Sequence, residues 1–100
     1  MDNPVKWTDL TLAEQMVNVG NEVRRAFNAE KKGNEERMKN ECLAAVNMLA
    51  LMMSDPRNLY RQSELLLAER VLVDYFFGGN TYNSSEEGIR RYYDVFIDCV

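Results

Sequence analysis

One hundred residues, 11.6 kDa and a formal charge of −4, from 12 Lys and Arg against 16 Asp and Glu, allow one compact domain and argue against a general affinity for nucleic acid. Hydrophobic residues at 46% and charged residues at 28% exclude wholesale disorder. No apolar run approaches the ~20 residues of a membrane span, no signal-peptide pattern opens the chain, and the absence of histidine removes all imidazole chemistry.

The first helix is expected over about residues 9–32, starting somewhere in 8–11. Thr8 as N-cap would make Trp7 and Leu12 a hydrophobic staple, whereas Thr11 with Glu14 would make a capping box, and both stay open. Leu12, Met16, Val19, Val23, Ala26 and Phe27 step by three or four along one face. Gly33 suits the C′ position behind Lys31 and Lys32. Gly20 interrupts the helix, either on its solvent side or where a neighbour packs closely.

Asn34 caps a second helix near 35–53, with Glu35 and Glu36 in its first turn. Met38, Cys42, Ala45, Leu49, Met52 and Met53 form its buried side, and its methionines read as core filling. Asp55 and Pro56 stop that helix and start a third, near 56–77, as N-cap and N1. Gly78 and Gly79 end it. Ser84 with Glu87 forms a capping box for a shorter fourth helix near 85–98, whose face is Ile89, Tyr92, Tyr93, Phe96 and Ile97. No segment alternates like a strand. The expectation is all-α: one domain over residues 1–100, an up-down-up-down antiparallel four-helix bundle with a shorter fourth helix.

Catalytic and metal motifs are missing. There is no Walker loop, GxGxxG or GxSxG, and a di-metal carboxylate bundle would need Glu-x-x-His. Glu86 and Glu87 would repel an anion behind Gly78-Gly79, and Asp94 and Asp98 read as solvated carboxylates. Cys42 reads as a small buried hydrophobe and Cys99 as a terminal thiol, neither beside an activating base. Two thiols without a secretory pattern suit a reducing, cytoplasmic setting. No catalytic residue, cofactor or metal is expected.

The third helix carries the most distinctive pattern. At about 100° per residue, its apolar side chains cover most of the circumference, interrupted by Glu69 and a strip of Ser63, Arg70 and Asp74. Such a helix needs cover, and a symmetric copy is the commonest one. Leu65, Leu66, Val73 and Phe76 are therefore candidate self-association residues of a homodimer, with another protein as a further possible partner. Tyr75, Phe76, Phe77, Tyr82, Tyr92 and Tyr93 are expected to cluster near the junction of the last two helices, as packing rather than as a base-stacking platform.

The stretch LAERVLVDYFFGGNTYNS, Leu67 to Ser84, resembles a segment of small uncharacterised bacterial helical proteins. The outline of the whole chain is similar to HEPN-type four-helix bundles, which often dimerise and often accompany nucleotidyltransferase partners. Their catalytic members use an Arg-x4-6-His ribonuclease motif, which a chain without histidine lacks. The resemblance therefore implies a non-catalytic member that acts through contacts. An alternative within it is binding of RNA or a nucleotide through Arg24, Arg25, Arg90 and Arg91.

Overall fold

The computed structural model describes residues 6–100. Four α-helices follow in order: α1 (Leu12–Lys31), α2 (Glu35–Ser54), α3 (Gln62–Phe76) and α4 (Glu86–Asp94). Three 3-10 turns accompany them, at Trp7–Asp9, Pro56–Arg61 and Val95–Cys99, and no strand occurs among the described residues. The all-α expectation holds.

Helix ends follow local chemistry. Thr11 is the cap of α1: its hydroxyl accepts from the Glu14 N–H at 3.1 Å, and Glu14 accepts from the Thr11 N–H at 2.9 Å. At the other end, Gly33 adopts φ 73° and donates to Glu30 O, while Asn34 donates to Ala29 O. This pair of bonds is a Schellman ending. Asn34 then turns from stop to start, its side chain accepting from the Arg37 N–H at 3.1 Å to cap α2.

Three boundaries depart from expectation, one of them the end of α4, which passes into a 3-10 turn after Asp94. The third helix does not run as α from Pro56, because residues 56–61 wind as a 3-10 turn. Asp55 accepts there from the Arg57 N–H, and buried Asn58 donates its side-chain amide to Met52 O at 2.9 Å. These bonds tie the turn to the end of α2 in a tighter winding than an α-helix. The cap of α4 is Ser85, whose hydroxyl accepts from the Gly88 N–H at 3.0 Å. Ser84 is unavailable for it: Asn80 binds both its N–H and its carbonyl, each at 2.9 Å. The left-handed residues of this loop are Asn80 and Asn83, both at φ 53°, while Gly78 and Gly79 are not left-handed.

Contacts establish the order of the bundle. The three-residue turn folds α2 back along α1, and Phe27 near the end of α1 meets Tyr75 and Phe76 at the end of α3. Lys31 pairs with Glu86 and Arg24 with Asp94, so α4 runs against α1. The helices therefore alternate up, down, up, down. Helix α2 packs on both α1 and α3, α4 packs on α1, and a seam remains between α3 and α4.

The core gathers Met16, Val19, Val23 and Phe27 from α1 with Cys42, Ala45, Leu49 and Met52 from α2, then Leu65 and Leu72 from α3, and Ile89, Tyr93 and Phe96. A fully enclosed side chain such as Leu49 contributes about 1.5–3 kcal/mol through removal from water. Ile97, expected in the α4 stripe, is 44% exposed, because the 3-10 winding after Asp94 swings it off that face.

Gly20 lies where α4 meets α1. A Cβ there would stand 2.8 Å from Tyr93 Cβ, an atom next to the backbone that cannot rotate away. Gly20→Ala should therefore lower stability despite gaining about 1 kcal/mol of helix propensity, since overpacking costs typically about 1–3 kcal/mol. The expected result is a lower urea midpoint with an unchanged m-value. A midpoint equal to or above wild type would refute the close packing of α4 on α1.

Candidate functional site

The seam between α3 and α4 opens into a cleft of about 340 Å³. Leu67, Ala68, Val71 and Leu72 form one wall, and Gly88, Ile89, Tyr92 and Tyr93 the other. Tyr82, Asn83, Ser84 and Ser85 close one end, and Glu64 stands at the opposite end. The walls follow from the helix period: on each helix the edge of the core stripe (Ala68 and Leu72, Ile89 and Tyr93) and the residues one position around from it (Leu67 and Val71, Gly88 and Tyr92) face the seam.

Glu64 organises its end of the cleft. The Tyr92 hydroxyl donates to Glu64 Oε2 at 2.6 Å, and Arg61 Nη2 donates to both carboxylate oxygens, at 2.9 and 3.1 Å. Burial opposes ionisation of Glu64, but the Tyr92 and Arg61 hydrogen bonds outweigh it and hold its carboxyl below the usual range. Burial, reinforced by the hydrogen bond to Glu64, raises the Tyr92 phenol. Arg61 also lies over the Phe96 ring at 5.8 Å, which joins the chain end to the start of α3.

The opposite end is a built loop. Asp74 in the last turn of α3 accepts from the backbone N–H groups of Thr81 at 2.8 Å and Tyr82 at 2.9 Å. Those two bonds, with the one to Tyr82 dominant, depress the Asp74 carboxyl. The wall made by residues 82–85 is thus held by Asp74 from one side and Asn80 from within.

The candidate self-association residues separate. Leu65 is 1% exposed and Phe76 8%, so both belong to the core and present no outer surface. The physical reason is their arc on α3, which faces α2 and Phe27 together with Ala68 and Leu72. Leu66 at 39% and Val73 at 41% do face outward, and Phe77 at 41% continues their line.

The four candidate arginines are each matched to a carboxylate. Arg24 meets Asp94 at 2.8 Å, Arg25 meets Glu22 at 2.6 Å, Arg90 meets Glu86 at 2.7 Å and Arg91 meets Glu87 at 2.8 Å. Arg90 also stacks over Phe27 at 5.3 Å. The aromatic residues form two groups rather than one. Tyr75 and Phe76 surround Phe27, Tyr92 packs on Tyr93 and Phe96, and Phe77 and Tyr82 stand exposed.

Cys42 is 1% exposed, with its Sγ 3.9 Å from Leu72 O, and burial pushes its thiol up to about 12. That makes it inert at neutral pH. Among the described residues no group of three or more metal-binding acids or thiols gathers, and no helix is long and apolar enough to cross a membrane. The chain matches no protein-family model, no curated protein and no solved structure with which it was compared.

Sequence reasoning missed Glu64 and Asp74 as organisers. Arg61 and Glu64 at i, i+3 were a visible signal, but Tyr92 is 28 residues away from Glu64 and only the fold joins them. The depressed carboxyls of Glu64 and Asp74 bind fewer protons folded than unfolded. Their stabilisation is complete above the ordinary carboxylate range, near about pH 4, and is lost as pH falls through their lowered values. Asp74→Asn should make the acid side of the melting-temperature profile shallower and speed hydrogen exchange at the Thr81 and Tyr82 amides at neutral pH. Unchanged exchange at both amides would refute the loop-holding role.

Proposed function

We propose that the chain is a non-enzymatic, cytoplasmic association module that works as a homodimer, with the outer flank of α3 seated against a second copy. One observation carries this reading. Leu66, Val73 and Phe77 lie along one line of the helix, spaced seven and four residues apart, each about two-fifths exposed. A two-fold axis beside that line would bury it against itself. The resemblance to HEPN-type bundles, which often dimerise, supports the same reading. It needs no cofactor and no catalytic group. An RNA-binding reading through Arg24, Arg25, Arg90 and Arg91 would first have to break four ion pairs on an acidic chain.

Light scattering at micromolar concentration should report twice the 11.6 kDa chain mass. The double variant Leu66→Glu, Val73→Glu should return 11.6 kDa with its helical circular dichroism intact, because both positions are exposed in one copy. A wild-type protein that stays monomeric would refute the proposal.

A further inference from the structure

We propose that the second copy docks with its α3 parallel to that of the first, and that Arg70 of each copy pairs across the two-fold axis with Glu69 of the other. This rests on the self-association reading and deepens it, because it names the orientation of the partner and the charges that set it.

Arg70 is the one arginine that meets no carboxylate among the described residues, whereas the other seven each meet one at 2.6–2.9 Å. The reason is local. Asp74 stands four residues on, the spacing of a helical ion pair, but its carboxylate accepts from the Thr81 and Tyr82 N–H groups instead. Glu69 is next in sequence, and neighbours at i, i+1 do not face each other on a helix. Glu69 likewise meets no cation among the described residues.

The two unpaired charges flank the exposed apolar line. At about 100° per residue, with Leu66 at zero, Val73 falls near about −20° and Phe77 near about +20°. Arg70 then stands at about +40° and Glu69 at about −60°, on opposite sides of the line. Symmetry decides what each one meets. A two-fold axis parallel to α3 turns each flank toward the opposite flank of the other copy. Arg70 then faces Glu69 of the second copy with a height difference of one residue, about 1.5 Å, and the axis makes the pair twice. An axis perpendicular to α3 turns like flank to like flank. That sets Glu69 against Glu69 and leaves Arg70 only Asp74, which the loop N–H groups already hold.

The net charge of −4 on each copy repels weakly at long range, because salt screens charges beyond about 8 Å. The two ion pairs act at contact, where complementary charges fix register.

The test measures the dimer dissociation constant of the full chain by sedimentation equilibrium. Arg70→Glu and Glu69→Arg should each raise it at least about tenfold, since each sets two like-charge pairs beside the axis. The double variant Glu69→Arg, Arg70→Glu exchanges the signs and should return the constant to within about threefold of wild type. Neither residue belongs to the core, so the helical circular dichroism should stay unchanged. Orientation is read by cross-linking in a Cys99→Ser background, where the remaining thiol, Cys42, is buried. Leu66→Cys and Val73→Cys should each oxidise to a covalent dimer, because parallel pairing sets both positions opposite themselves within disulfide reach.

A dimer that Leu66→Glu, Val73→Glu dissolves but that ignores both charge reversals would overturn this inference alone. So would a double variant that fails to restore association. Cross-linking at only one of the two cysteine positions, or at neither, would mark an antiparallel pair and overturn it as well. A monomeric wild type would overturn the self-association reading and this inference with it, leaving the flank to a different chain.

Discussion

Tyr93 rests against the bare backbone of Gly20, and that approach decides which neighbour α4 takes. A side chain at residue 20 would hold the two helices apart. With glycine there, Tyr93 is enclosed at 3% exposure, and the Arg24–Asp94 and Lys31–Glu86 pairs can span the same interface. Those exposed pairs contribute little individually, and the close apolar contact provides most of the attachment. Because α4 is committed to α1, and α3 to α2, the seam between α3 and α4 stays open.

Helix α3 illustrates what a helical wheel can and cannot say. Its apolar residues cover most of the circumference, but they serve three different surroundings. Leu65, Ala68, Leu72 and Phe76 enter the core, Leu67 and Val71 line the cleft, and Leu66, Val73 and Phe77 face outward. Ser63, Arg70 and Asp74 form the crest between the last two arcs. The wheel measured total apolarity correctly, whereas its division among neighbours depended on where α4 docked.

Local features were the legible part of the fold. The Thr11 box, the Gly33 ending, the Asn34 cap and the Asp55-Pro56 start all depend on residues within a few positions of one another. The misread boundaries had the same scale but an added competitor. Ser84 lost the cap to Ser85 because Asn80 had claimed its backbone, and Asn58 tightened the third helix's first turns by reaching back to Met52. The cleft was not legible, since its organising bond joins Glu64 to Tyr92 through the tertiary arrangement alone. Of the four arginines, Arg25, Arg90 and Arg91 meet acids three or four residues away, within reach of a sequence reading, whereas the acid that meets Arg24 lies 70 residues off and only the fold brings it there.

Asn34, which closes one helix and opens the next, also bears on the order in which the molecule assembles. Joining α1 to α2 requires closing a loop of only three residues, so little chain entropy is lost before their long shared face forms. Attaching α4 to α1 instead closes a loop of about 70 residues, as the Arg24–Asp94 separation shows. Contacts that are local in sequence form fastest, which makes the α1–α2 hairpin the natural nucleus and α4 the last arrival. The wall of the cleft that is added last is also the one whose detachment leaves the α1–α2 pairing intact. Of the cleft's two walls, α4 is thus the one held by the contacts most distant in sequence.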